Sequence, residues 1–224
     1  MVRKTDIRRD SRPRSHQLFG DEEKKAELEA RNGLLQFDEV IRLVGEVERG
    51  ASFRLRPSML QSLHRIAIQD IYDCAGNYRT APVQIEGTDH QPPSWQDVPR
   101  LVEEMCDYVN EHWQVSTPVH LSAYLMWRIN WIHPFAGGNG RTSRAVSYLA
   151  LCSRLGCRLP GILTIPDQIV GNREPYYKAL DAADFAWTEG TVNVAEMESL
   201  LSALLARQLT QLHTAAVSVS PHED

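Results

Sequence analysis

The stretch His133-Pro134-Phe135-Ala136-Gly137-Gly138-Asn139-Gly140-Arg141-Thr142-Ser143-Arg144 decides how the rest of this 224-residue chain is read. It lies between two segments that are apolar nearly all round. Leu121 to Ile132 carries Leu121, Tyr124, Leu125, Met126, Ile129, Trp131 and Ile132, and Ser143 to Leu155 carries Ala145, Val146, Tyr148, Leu149, Leu151 and Leu155. A helix apolar on every side is a central, buried helix, so a glycine-rich polar loop is expected to join two of them. Pro134 stops the first helix next to His133, and Phe135 can anchor the loop in the core. Gly137, Gly138 and Gly140 remove side chains where a ligand could approach the backbone. The second helix begins near Asn139, so its first N–H groups point into the loop and form a ready anion site. Arg141 and Arg144 place two cations on its first turn, against the helix dipole, which favours a bound anion to offset them. His133 ordinarily titrates close to working pH and can take a proton from a hydroxyl. Together these residues suit phosphoryl or nucleotidyl transfer, which relies on positioning and charge neutralisation. Taken singly, each has a plainer role, as a capping histidine, a glycine turn or solvated arginines.

Outward from the loop the pattern stays helical. From Asp21, the residues Leu28, Leu34, Leu35, Val40, Ile41 and Val44 recur at helical spacing, with Gly33 read as a break. Met59, Leu60, Leu63, Ile66, Ala67 and Ile71 mark a second amphipathic helix. Trp95 to His112 forms another, with Val98, Leu101, Val102, Met105 and Val109 on one face. Two more are predicted around Glu174 to Asp184 and Val194 to His213. Between Gly76 and Pro93 the pattern changes. Arg79 to Gly87 alternates weakly and ends in a glycine turn, and Pro92-Pro93 forbids helix, so a short β-hairpin is predicted there. The expected fold class is all-α, mainly helical, with that hairpin as a flap. The expected divisions are a basic flexible arm (1–20), an N-terminal helical extension (21–54), the main domain (55–213) and a flexible tail (214–224).

Composition is that of an ordinary globular protein, 42% hydrophobic and 24% charged. Lys and Arg number 24 against 29 Asp and Glu, a net charge of −5, which gives no general affinity for nucleic acid or membranes. The arm is the exception, with Arg3, Lys4, Arg8, Arg9, Arg12 and Arg14 against Asp6 and Asp10. It reads as a solvated tail, with contact to nucleic acid or an acidic partner as the alternative. No apolar run approaches the ~20 residues of a membrane span, and the N-terminus lacks a signal peptide's apolar core, so a cytoplasmic location is expected. Cys74, Cys106, Cys152 and Cys157 form no CxxC pair and are expected to be buried free thiols rather than a zinc site.

The run from His133 to Arg144 resembles the signature of the Fic family, His-Pro-Phe-x-(Asp/Glu)-Gly-Asn-Gly-Arg-x-x-Arg, at every specified position but one. Ala75-Gly76-Asn77-Tyr78-Arg79, followed by Val83, Gly87, His90 and Pro92-Pro93, is similar to the family's flap and its exit. Tyr176-Tyr177-Lys178-Ala179-Leu180 resembles the tyrosine-rich segment that lines the adenine pocket. The resemblance spans roughly residues 55–210 and implies the Fic fold and transfer of AMP from ATP, with Mg²⁺ or Mn²⁺, to a Ser, Thr or Tyr hydroxyl of a target protein. By the same resemblance His133 is the general base. Gly137, Gly138, Asn139, Gly140, Thr142 and Ser143 surround the phosphates, which the Gly138–Gly140 turn cradles through backbone and amide donors. Arg141 and Arg144 hold the β- and γ-phosphates, Tyr176, Tyr177 and Asp184 belong to the nucleotide site, and Val83, Gln84, Ile85 and Glu86 align an extended target segment by main-chain pairing.

Four features modify that expectation. Gly137 stands where most active members have Asp or Glu, a direct Mg²⁺ ligand in the family, so the usual motif position supplies no metal ligand. Mg²⁺ is often held by only one or two carboxylates plus substrate phosphates, which makes the loss substantial. The alternative function is therefore a nucleotide-binding regulatory module with weak or no transfer. Gly140 occupies the position of a lysine in the phosphorylating branch, which disfavours that activity, and Asp184 replaces a frequent asparagine. The family's inhibitory (Ser/Thr)-x-x-x-Glu-(Gly/Asn) motif, whose glutamate pairs with the second motif arginine (here Arg144), is not found. Glu29 is the nearest candidate, with Arg31 where the glutamate would align. The implied partners are the target protein and ATP, with a homodimer or a separate inhibitory partner open, and no membrane or nucleic acid.

Overall fold

A computed structural model describes residues 18, 21–161 and 163–218, with side chains through Thr210. Among the described residues there are eight α-helices and one 3₁₀ turn, in the order α1 (Glu22–Glu48), α2 (Pro57–Ile68), the turn Trp95–Asp97, α3 (Val98–Glu111), α4 (Pro118–Ile132), α5 (Asn139–Leu155), α6 (Ile165–Gly171), α7 (Glu174–Thr188) and α8 (Ala195–Ser218). None is long and apolar enough to cross a membrane.

The two all-round apolar segments are the central helices α4 and α5, packed against each other. Thr117 caps α4 by accepting from His120 N, with Pro118 in the first turn, where its missing N–H costs nothing. Leu125, Trp127, Ile129 and Ile132 of α4 meet Val146, Leu149 and Cys152 of α5 in one core. Across the contact between them, the Ser122 hydroxyl donates to Ser147 O (3.1 Å) and the Ser147 hydroxyl to Ser122 O (2.8 Å). Small side chains permit that approach, and the reciprocal bonds satisfy both buried hydroxyls. Helices α1 and α2 pack on α5, whereas α3, α7 and α8 pack on α4.

Several expectations are corrected. Gly33 does not break α1, which runs unbroken for 27 residues from an Asp21 cap that accepts from Glu23 N and Lys24 N. Leu34 and Leu35 face outward, 70% and 42% exposed. The buried stripe keeps the expected Val40 and Val44 and is continued by Asn32 and Gln36, because the Asn32 and Gln36 amides donate to Gln69 O (2.7 Å) and Leu63 O (2.9 Å) along α2. Helix α6, unmarked in the sequence pattern, is short and held by a Thr164–Asp167 capping box. Helix α8 continues to Ser218, into the expected tail. The basic arm lies outside the described residues except for Leu18, whose N–H donates to Ile71 O (3.0 Å). Of the four cysteines, Cys106 and Cys152 are buried, Cys74 is partly so and Cys157 is exposed.

The predicted hairpin does not form. Tyr72 and Ile85 are isolated bridge residues, and Glu86-Gly87 makes a turn, with Gly87 at φ 76°. Pro82, Pro92 and Pro93 have no N–H to give a ladder, and the Arg79 guanidinium takes Ala81 O and Pro93 O. Backbone groups that would pair across a hairpin are missing or already bonded.

Candidate active site

The loop between α4 and α5 is built by side chains that bind its own backbone. His133 closes α4 in the left-handed region, φ 51° and ψ 58°, its N–H still bonded to Ile129 O (2.9 Å). A non-glycine residue seldom holds that conformation, and it persists where the surroundings over-determine it. Arg79 supplies much of that restraint. Its N–H donates to Pro134 O (2.9 Å), and its buried guanidinium donates to His133 O (2.8 Å) and Ile132 O (3.4 Å). A cation on the last carbonyls of α4 also complements the helix dipole.

Phe135 is fully buried and stacks on His64 of α2, ring centroids 3.6 Å apart and planes at 7°. His64 also pins the loop from its edge. Gly76 N–H donates to its Nδ1 (3.0 Å), which leaves Nε2 as the protonated nitrogen that donates to Gly137 O (2.9 Å). Burial pushes His64 down to about 4, with the Arg141 charge acting the same way and the Gly137 carbonyl opposing. Gly138 caps α5 at φ 75°, and a Cβ there would come within 2.9 Å of Ile68 Cγ2. A side chain is excluded both by conformation and by space.

Asn139 behaves differently from the expectation. Its side chain accepts from Phe135 N (3.0 Å) and donates to Phe135 O (2.9 Å). The amide is thereby used within the loop, so any phosphate there would meet backbone N–H groups. The Thr142 and Ser143 hydroxyls likewise donate to Gly138 O and Gly140 O, each at 3.1 Å.

The charged groups differ in how they are engaged. Arg141 donates to Ala67 O (3.1 Å) and pairs with Glu29 of α1 (3.1 Å). Arg31, at the position where the inhibitory glutamate would align, instead pairs with Asp70 (2.7 Å). Arg144 makes no hydrogen bond or ion pair with the described residues. It lines a cleft of about 580 Å³ between α1, α5 and α6. Burial lowers its proton affinity, and nearby Arg173 and Arg141 do the same, against Tyr176 and Tyr177.

His133 itself is 4% exposed. Its Nδ1 lies 3.3 Å from Asn130 O, and a carbonyl only accepts, so Nδ1 carries the proton and Nε2 the lone pair. Burial pushes its pKa down to about 3, reinforced by Arg79 and His90 and opposed by the Asn130 carbonyl. At neutral pH it is an uncharged imidazole able to accept a proton.

The other expected site residues spread over separate surfaces. Val83, Gln84 and Glu86 line a cavity of about 900 Å³ with Arg79 and Ala136, whereas Ile85 is buried in the protein. Tyr176 is buried, its hydroxyl accepting from Asn130 (2.8 Å), and Tyr177 beside it is half-buried. Asp184 accepts from Trp127 Nε1 (2.8 Å), and its other oxygen is 4.0 Å from His90 Nδ1, on a third cavity of about 610 Å³.

The Fic/DOC family model matches residues 54–151, from the loop before α2 to most of α5. This part of the chain is similar to the Fic/DOC family. A protein adenylyltransferase Fic of Nematostella vectensis is 27% identical over 155 residues, covering 68% of this chain and 34% of that protein. The Drosophila persimilis protein of the same name is 32% identical over 143 residues, 58% of this chain and 26% of its own. The chain thus spans about a third or less of the length of these curated relatives. A Fic domain containing signaling protein of Bacteroides thetaiotaomicron superposes with a TM-score of 0.64 at 23% identity, over 86% of this chain and 75% of that one. Residues 134–508 of Fic-1 from C. elegans give 0.60 at 22% identity, over 82% and 52%. These likenesses establish the Fic fold.

Two residues outside the loop hold it in place and are not legible as such in the sequence. His64 shares a helical face with Leu60, Leu63 and Ala67, and a lone histidine on an otherwise apolar buried face was its available signal. Arg79 was read as part of the flap, yet it caps α4. Among the described residues no group of three His, Cys, Asp or Glu could hold an ion. Gly137 offers only a carbonyl already bonded to His64, and Glu29 is paired with Arg141. The loop residues do not fit a protein-held Mg²⁺ or Mn²⁺.

Proposed function

We propose that the protein binds ATP at the α4–α5 loop and transfers AMP to a Ser, Thr or Tyr hydroxyl of a target protein. The observation that carries this reading is a neutral His133 with its lone pair on Nε2, held beside the loop that leads to Arg144 and the start of α5. In the reaction the target oxygen attacks the α-phosphorus, its proton passes to Nε2, and the bond to the bridging oxygen breaks to release pyrophosphate. Arg144, and Arg141 once freed from Glu29, neutralise the leaving charge. The backbone N–H groups of the Gly138–Gly140 turn orient the phosphates. The target lies along Val83 to Glu86, and the named adenylyltransferase relatives are consistent with this assignment.

The test is intact-mass analysis of the purified protein after incubation with ATP and either Mg²⁺ or Mn²⁺, beside His133→Ala. A gain of one AMP that disappears in the variant is expected. If wild type gains nothing while calorimetry still shows ATP binding, the second reading stands, a nucleotide-binding regulatory module. That reading is favoured by Gly137 and by the near-complete burial of His133. Under it, Gly137→Asp creates activity where the wild type has none.

A further inference from the structure

The cleft between α1, α5 and α6 has a composition that a nucleotide triphosphate tail alone does not account for. One end holds Arg144, with no hydrogen-bond or ion-pair partner among the described residues, and Arg141, whose charge Glu29 offsets. The rest of the wall is mostly apolar, with Leu34 and Phe37 from α1, Tyr148 from α5, and Pro166 and Val170 from α6; of its polar members, Asp167 is engaged with Thr164 in the α6 capping box and Gln36 with Leu63 O. Leu34 is 70% exposed and Val170 47%, so the apolar wall is left open to water. The volume, about 580 Å³, lies in the range of small-molecule sites, which pair apolar walls with a few polar anchors.

Gly33 adds an independent observation. It sits in the middle of α1 and lines this cleft. Glycine inside a helix weakens it relative to alanine, yet no positive φ requires glycine here and a Cβ at this position would meet nothing within 4 Å. Neither the backbone nor the packing calls for a missing side chain. The space above Gly33 is kept open over the apolar wall.

We propose that this cleft binds an amphipathic organic phosphate, with its anionic head on Arg144 and an apolar body lying over Gly33 between Phe37, Tyr148 and Val170. A partly enclosed guanidinium without a partner favours an anion strongly, because ion pairing offsets its lost hydration. A planar fork beside helix N–H groups suits phosphate oxygens. The apolar walls then select against inorganic phosphates by burying the attached group. The site is separate from the cavity lined by Val83, Gln84 and Glu86, so the ligand is not the target segment. The inference rests on Arg144 as an anion holder, as the proposed function does, but not on AMP transfer.

Calorimetry with geranyl diphosphate and with inorganic pyrophosphate tests it on the whole chain. Wild type should bind geranyl diphosphate at least about tenfold more tightly than pyrophosphate. Gly33→Leu should erase that advantage while leaving pyrophosphate affinity in place, and Arg144→Ala should weaken both. Equal affinity for the two probes in wild type overturns the proposal, as does an advantage that survives in a folded Gly33→Leu protein. Methyl NMR shifts at Leu34 and Val170 on adding geranyl diphosphate give a reading independent of any variant, and their absence also overturns it. A chain that binds the probe but never gains AMP refutes the proposed transferase alone. One that gains AMP and ignores the probe refutes this inference alone.

Discussion

Lowering the pH should destabilise this protein well before its carboxylates are protonated, because two histidines are folded in as neutral groups. Burial holds His64 down to about 4 and His133 to about 3, from an ordinary value of 6.5. The direction follows from proton counting. Below pH 6.5 the unfolded chain protonates both rings while the folded chain protonates neither, so the unfolded state binds more protons and stability falls as pH falls. Each such group contributes a slope of about 1.4 kcal/mol per pH unit, and the two together about 3 kcal/mol per unit between roughly pH 6 and 4. Two units of acid thus remove roughly 5 kcal/mol, at least the low end of a domain's total stability of about 5–15 kcal/mol. Urea unfolding followed by circular dichroism between pH 7.5 and 4.5 measures the slope directly. His133→Ala should start from a different stability, since alanine is strained at φ 51°, but should lose stability with about half the slope. A flat profile from pH 6.5 to 5, or equal slopes in wild type and variant, would refute the argument that both rings are buried neutral.

Other outcomes follow from the same contacts. Asn139→Ala strips two hydrogen bonds from the buried Phe135 backbone, and should cost about 2–4 kcal/mol, seen as a lower thermal midpoint with loss of ATP binding. Glu29→Gln frees Arg141 from an ion pair whose partners are 28% and 39% exposed. Such a pair is worth only about 0.2–1 kcal/mol, so ATP affinity by calorimetry should rise no more than roughly fivefold; a hundredfold rise would mean that α1 moves as a whole. Gly33→Ala should raise stability by about 0.5–1 kcal/mol, checked by urea titration, because its Cβ enters open space.

The loop could be read in the sequence because its constraints are local. Pro134 must end a helix, Gly138 stands where a side chain is excluded, and Arg141 and Arg144, three apart, share one face at the start of α5 because of helix geometry alone. The flap could not be read that way. Arg79 looks like one residue of an alternating strand, yet its guanidinium satisfies carbonyls of residues 132 and 133, more than fifty positions away. Leu34 and Leu35 look like core by periodicity, and Asn32 and Gln36 displace them because α2 offers carbonyls to their amides.

Two buried central helices and a glycine-rich loop between them are legible along the chain, since apolar periodicity, proline and glycine act within a few residues of themselves. Only the tertiary structure decided which charges are engaged there. Glu29 reaches Arg141 across 112 residues, His64 reaches Gly137 across 73, and Arg144 is left without a partner among the described residues. Desolvation and ion pairing depend on what the fold brings alongside a group, and no spacing along the chain encodes that.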